Sequence, residues 1–432
     1  MDHIGSNVPE SKWHRLDNTA NIFPVVANRN YSSIYRISVT LTEDIDPKIL
    51  QTALDQTLPR FGSFKVRLRH GFFWYYFEAN DRPCLISPEM PNPCSYFVPA
   101  QNNHYLFRVT YFRARINLEV FHVVTDGSGA SDFLKELTCR YIDLVIFEKN
   151  GEPVPDQPVV DVFSDIEDSY IKNFIGKNPQ GYSTERAYEL KGEKLPIYTK
   201  GILIGSVAVK DIVALCRTKG VTISQYLTAV MIWSIYREYL NGQPQKRPIS
   251  ISVPVNLRPY FNSTSTMNFF SVIAVVFRAE RDDHSFEEIL GLVEKQFSES
   301  LNTEYFTSKI AYNVSFVKKL YIRFIPLFIK NIFLKISYLR SAKSNTITLS
   351  NVGRFKVPDR YMPYIKGVGL LMGATSSEPM KCSVLSYERT LNITFTSILS
   401  NTYLQRAFFR KISEDGLNIT IETNGAYYEN LR

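Results

Sequence analysis

Polar and apolar residues alternate from Tyr31 to Leu41 (YSSIYRISVTL). That period predicts a strand with Ile34, Arg36 and Ser38 on one side and Tyr35, Ile37 and Val39 on the other. The period then changes: Leu50, Leu54 and Leu58 recur at i, i+4 and i+8, which predicts a short amphipathic helix over Asp46–Leu58. Phe64–Leu68 alternates again, and Gly71 opens a further strand at Phe72–Phe77. Tyr105–Phe112 and Arg115–Phe121 flank a tight connection at Arg113–Ala114 and predict a hairpin. Its second arm ends at His122. The chain then turns at Asp126-Gly127-Ser128-Gly129 and enters a helix expected over Ser131–Phe147, with Phe133, Leu134, Leu137, Tyr141 and Val145 at helical spacing.

Residues 150–200 change character, with Pro153, Pro155, Pro158, Asp161, Asp165 and Asp168 in a charged, proline-bearing run that reads as a crossover. The pattern restarts with a strand at Gly201–Val207 and a helix near Lys210–Lys219. Thr222 and Gln225 form a capping box for a helix ending near Leu240, and Ser285 and Glu288 form another. Ile249–Val255 and Ser271–Arg278 read as strands, and Thr346–Leu349 with Asn392–Leu399 complete the expected set. Sheets packed with helices in both halves define an α/β class, an α+β sandwich. A chain of 432 residues with 44% hydrophobic content is too long for one ordinary domain. We expect two, at 1–190 and 191–432.

The formal net charge is +8 and the pI about 9.0. A mild basic excess suits nucleic acid, anionic lipid or a phosphate-bearing molecule such as coenzyme A. The basic residues read as scattered, and no RNA-binding or helix-turn-helix signature is present, so nucleic acid is not an expected partner. The five cysteines (Cys84, Cys94, Cys139, Cys216 and Cys382) make no CxxC, which predicts a reduced, cytoplasmic chain without a cysteine metal site. The N-terminal stretch lacks an apolar signal core, and no uninterrupted apolar run of about 18 residues predicts a spanning helix. The longest apolar-aromatic segment is Leu320–Tyr338, broken by Arg323, Lys330 and Lys335, with Pro326 starting or breaking a helix. Such a basic amphipathic helix can lie on a membrane surface; the expectation here is that it packs on its own protein.

The candidate chemistry lies in Phe121-His122-Val123-Val124-Thr125-Asp126-Gly127. A strand delivers a histidine to its end, and an imidazole can take a proton from a hydroxyl or amine near neutral pH. Asp126 is placed to brace the turn. Gly127 and Gly129 are expected to supply positive φ values there. Alone, HxxxDG is an unspecific pattern. The GxSxG, GxxxxGK[ST], HExxH and GxGxxG signatures are absent, so serine hydrolysis, nucleotide binding and zinc proteolysis have no support.

The segment resembles the HHxxxDG signature of the condensation-type, chloramphenicol-acetyltransferase-like acyltransferases. Val255-Asn256-Leu257-Arg258-Pro259, Met267-Asn268-Phe269-Phe270 and Thr348-Leu349-Ser350-Asn351-Val352-Gly353 resemble further segments of that superfamily, in order. Pro59-Arg60-Phe61 and the SNxG run look most like its alcohol acetyltransferase and polyketide-associated branch. The first histidine is Phe121 here, and the plant DFGWG motif is absent.

The resemblance implies two chloramphenicol-acetyltransferase-like subdomains in a V with a channel between them. It implies His122 as general base, Asp126 and Arg258 as a structural ion pair, and Gly127 as a point of close backbone approach. Asn268, Ser350 and Asn351 would line the channel, with Ser350 or Asn351 able to support an oxyanion. No metal or bound cofactor is implied. Acyl-CoA would be a co-substrate, an alcohol or amine the acceptor, and an acyl-carrier protein the alternative donor. The third expectation is a non-catalytic binding relic of the fold.

Overall fold

A computed structural model describes residues 13–28, 31–96, 98–155, 166–176 and 178–427. The strands in chain order are β1 (Trp13–Arg15), β2 (Ile34–Leu41), β3 (Val66–His70), β4 (Tyr75–Ala79), β5 (Ser87–Pro88), β6 (Phe107–Phe112), β7 (Arg115–Phe121), β8 (Gly201–Ala208), β9 (Ile249–Asn256), β10 (Phe270–Phe277), β11 (Ile347–Arg354), β12 (Ile365–Met372), β13 (Met380–Tyr387), β14 (Thr390–Ser397) and β15 (Thr420–Thr423). The helices of eight residues or more are α1 (Pro47–Thr57), α2 (Gly127–Asn150), α3 (Val209–Thr218), α4 (Ile223–Tyr239), α5 (Phe286–Ser300), α6 (Thr303–Lys318), α7 (Leu327–Ala342) and α8 (Tyr403–Glu414).

Three sheets organise the molecule: β1-β4-β3, β12-β2-β7-β6-β5 and β10-β9-β11-β13-β14-β8-β15. The expected hairpin is β6–β7, turning at Arg113, whose φ is 48°. Ile116, Leu118 and Val120 point from β7 into a core completed by α1 and α2. Asp46 starts α1, its carboxylate accepting from the Lys48 and Ile49 amides at 2.7 and 3.3 Å, with Pro47 at the first helical position. Both capping boxes form, at Thr222 for α4 and Ser285 for α5. Helix α4 is apolar around nearly its whole circumference and is accordingly buried, between α8, α5 and the seven-stranded sheet.

Two sequence expectations need correction. The strand set is larger than expected: β12, β13 and β15 were unmarked by alternation. Strand β12 crosses to the five-stranded sheet and pairs antiparallel with β2, from Ile365 opposite Leu41 to Met372 opposite Tyr35. Strand β12, from the C-terminal half of the sequence, thus completes the sheet of β2, β7, β6 and β5. Part of the proline-bearing crossover, including Pro158, Asp161 and Asp165, lies outside the described residues. The second correction concerns the basic apolar segment. It forms a one-turn helix at Leu320–Arg323 and then α7, begun at Pro326, but no residue of α7 is buried. Its apolar face points outward.

Candidate active site

Strand β7 ends at Phe121, and His122 continues the sheet by donating its amide to the Ser33 carbonyl at 2.9 Å. The imidazole lies at the seam between the two halves. Phe23 stacks on it at 4.6 Å between centroids, and Tyr35 meets it edge-on at 5.1 Å. Phe270, from the second half, closes the third side at 5.5 Å. Burial among these rings lowers the imidazole pKa below 6.5, against the raising influence of the Asp126 charge, so His122 is neutral at neutral pH.

Asn268 fixes which nitrogen carries the proton. Its Nδ2 donates to the Asp17 carboxylate at 2.9 Å and to the His122 carbonyl at 3.0 Å. The amide oxygen is therefore the atom facing Nδ1 of His122, at 2.9 Å, and accepts a hydrogen bond from its N–H. Reversing the amide would set its oxygen against the His122 carbonyl, which can only accept. Nε2 then carries the lone pair and has no hydrogen-bond partner among the described residues.

Asp17 stands behind Asn268 and is fully buried, its other oxygen accepting from the Ala20 amide at 2.7 Å. Burial, reinforced by the nearby Asp168 charge, pushes the Asp17 carboxyl up to about 8. Sequence reasoning missed Asp17: no pattern distinguishes it from a solvated loop aspartate, and its partner is 251 residues away. The aromatic cage of Phe23, Tyr35 and Phe270 was also missed, for the same reason of distance along the chain.

Asp126 caps α2. One carboxylate oxygen accepts from the Ser128 and Gly129 amides at 3.0 and 3.2 Å; the other accepts from Arg258 Nη1 and the Phe269 amide, both at 2.8 Å. Burial alone would raise its pKa, but Arg258 and the amide donors outweigh burial and hold it below the usual carboxylate range. Arg258 also donates from Nε to the Ser265 carbonyl at 2.8 Å and from Nη2 to the Met267 carbonyl at 2.6 Å. One guanidinium thus ties the β7–α2 turn to the loop that delivers Asn268.

The glycines serve differently from expectation. Neither Gly127 nor Gly129 has a positive φ. A Cβ on Gly129 would lie 2.1 Å from Thr125 Oγ1 and 2.2 Å from the Thr266 carbonyl oxygen, and one on Gly127 would lie 3.0 Å from Val352 Cγ2. Close approach of the two halves, rather than backbone sign, requires glycine at 129.

Ser350 and Asn351 lie on β11, which pairs in parallel with β13. Ser350 shares a face with Thr348, whose register partner is Lys381; the Lys381 charge in turn acts to lower the His122 pKa. The Asn351 side chain is engaged elsewhere: it donates to Ser224 Oγ and accepts from the Gly353 amide, both at 3.0 Å. It shapes the bulge at Gly353, where φ is 92°. Two clefts, of about 500 and 670 Å³, are lined by other residues, among them Arg140 and Tyr361 in one and Arg278 and His284 in the other.

No family model matches the sequence, and no curated protein matches it. Solved structures do match in shape. Polyketide synthase associated protein 5 from Mycobacterium tuberculosis superposes with a TM-score of 0.61 at 14% identity, covering 92% of this chain and 96% of that one. The starter condensation domain of rhizomide synthetase, solved with C8-CoA and Leu-SNAC, gives 0.62 at 11% identity over 94% and 95%. Trichothecene 15-O-acetyltransferase from Fusarium sporotrichioides gives 0.62 at 11% identity over 93% and 94%. Across nearly its whole length, then, the chain has the fold of these condensation-domain and acetyltransferase structures.

Proposed function

We propose that the protein is an acyltransferase that moves an acyl group from acyl-CoA to an alcohol or amine, with His122 as general base. The observation that carries this reading is a neutral imidazole whose Nδ1 proton is held by Asn268 and whose Nε2 has no hydrogen-bond partner among the described residues. A base needs that protonation state and that free lone pair. Nε2 takes the proton from the acceptor as its oxygen or nitrogen attacks the thioester carbonyl. The tetrahedral intermediate collapses, the carbon–sulfur bond breaks, and the imidazolium returns the proton to the leaving thiolate. No covalent enzyme intermediate is needed.

Ser350 is the better candidate for a hydroxyl donor to the oxyanion, because the Asn351 amide already holds the β11 bulge. Asn268 acts as a positioning residue rather than a channel wall. Asp126 and Arg258 shape the turn and do not touch substrate. A free CoA thioester as donor is supported by the C8-CoA bound to the structurally similar starter condensation domain. The basic excess suits the CoA phosphates.

The experiment is thiol release from acyl-CoA with a panel of alcohols and amines. We expect turnover with the wild type and a loss of about 10²–10⁴-fold in His122→Ala, with the circular dichroism spectrum unchanged. If acyl-CoA proved inert across the panel while an acyl-carrier protein thioester supported turnover, the donor would be wrong and the base would stand.

A further inference from the structure

Helix α7 is amphipathic in the inverse sense. Leu327, Leu334 and Tyr338 turn toward the protein, where α7 packs on the Ala20–Val26 segment that carries Phe23. Phe328, Ile332, Phe333, Ile336 and Leu339 fall on the opposite face and stand in solvent, Phe328 and Phe333 each at 65% exposure. The patch continues beyond the helix. Leu320, Tyr321 and Phe324 are exposed on the preceding turn, and Phe72 (68%) and Trp74 stand out from the β3–β4 hairpin.

Turn and hairpin are joined to the helix as one surface. The Leu327 amide donates to the Phe72 carbonyl at 2.8 Å, Lys330 Nζ to the Phe73 carbonyl at 2.9 Å, and Asn331 Nδ2 to the Tyr75 hydroxyl at 2.8 Å. Phe73 and Phe324 meet edge to face at 6.5 Å. A contiguous apolar face of this kind marks an interaction site.

Charge identifies the occupant. The basic residues are not scattered after all: residues 320–343 hold five Lys or Arg and no Asp or Glu. Lys335, Arg340 and Lys343 are exposed among or beside the apolar side chains of α7, and Arg323 is exposed beside Phe324. Aromatic and aliphatic side chains fringed by lysine and arginine match the boundary between acyl chains and anionic headgroups, where long basic side chains reach the phosphates. A second copy of the chain fits less well, because an isologous contact would set two such basic patches face to face. Among the described residues no helix is long and apolar enough to cross a membrane, so the contact is one of lying on the surface.

We propose that the face formed by Leu320–Lys343 and the Phe72–Trp74 hairpin tip docks the protein onto anionic lipid bilayers. Docking places the membrane on the outer side of a helix whose inner side packs on the segment bearing Phe23, the ring stacked on His122.

The test is flotation of the full chain with phosphatidylcholine vesicles and with mixed phosphatidylglycerol–phosphatidylcholine vesicles, beside sedimentation velocity without lipid. We expect binding to the mixed vesicles at least about tenfold above that to phosphatidylcholine alone. Phe328→Ser with Phe333→Ser, and separately Lys335→Glu with Arg340→Glu, should each reduce it about tenfold or more while the monomer and its thermal unfolding stay unchanged. Absence of wild-type binding to the mixed vesicles overturns the proposal. So does a wild-type dimer that these exposed-face variants dissociate, since a second copy would then be the occupant. The readout is binding, so it is independent of whether the chain transfers acyl groups.

Discussion

The turn after β7 and the outer face of α7 are built on opposite rules. At the turn every carboxylate oxygen of Asp126 has two donors, Arg258 has a carbonyl or carboxylate for each of its nitrogens, and Asn268 is bonded at both ends. On α7 the large apolar side chains of one face stand largely in solvent, Phe328 and Phe333 each at 65% exposure. The first region is fixed in place by saturating its polar atoms; the second is held by one face and leaves the other for something else. Substitutions should therefore have very different effects on folding in the two places.

The largest expected effect is at the ion pair. Asp126→Ala strands the Arg258 guanidinium in a buried site and removes the cap of α2 together with the Phe269 amide's acceptor. Chemical denaturation should show a loss of roughly 3–5 kcal/mol. A loss within error of zero would mean that the pair does not brace the turn.

The next effect is a pH dependence from Asp17. Its pKa is about 8 in the fold against 3.8 as an ordinary carboxyl, so the folded state binds this proton more tightly than the unfolded chain. The contribution is fully present below about pH 4 and declines as pH rises toward about 8. Asp168, lifted by burial to about 6, adds to the same decline over its own lower range. In Asp17→Asn the fall in unfolding free energy across that window should be shallower than in the wild type. An identical slope would show that Asp17 is not the buried acid.

The smallest effect belongs to α7. Ile332→Ser or Ile336→Ser should alter unfolding free energy by no more than about 0.5 kcal/mol, because both are exposed side chains outside the core. A destabilisation of core size, about 2–5 kcal/mol, would show that the face is covered in solution.

The same contrast explains what could be read from the sequence. The His122–Asp126 spacing, the hairpin and both capping boxes are local, and local periodicity and capping chemistry reveal them. Arg258 was reachable through resemblance to ordered family segments. Asp17, Phe23 and Phe270 were not, because each acts across the fold on a partner far away in sequence. Strand β12 (IKGVGLLM) carries two glycines and no alternation, and its pairing with β2 is a long-range choice. An amphipathic pattern shows that α7 has two faces, but not which one the rest of the protein covers. The requirement for glycine at 129 likewise comes from the Thr266 carbonyl, which no local turn rule includes.

The central claim is that His122, held by Asn268 with its pKa lowered by burial, is the base. The most direct measurement is the pH dependence of kcat/KM in acyl-CoA thiol release, for the wild type and for Asn268→Ala. The account predicts a wild-type rate that falls only below the ordinary imidazole value of 6.5, with one proton per turn of the curve. It predicts that Asn268→Ala loses rate and shifts that limb, since the Nδ1 proton has lost its acceptor. A wild-type profile with no acid limb, or an Asn268→Ala enzyme with the wild-type rate and the wild-type profile, would contradict it.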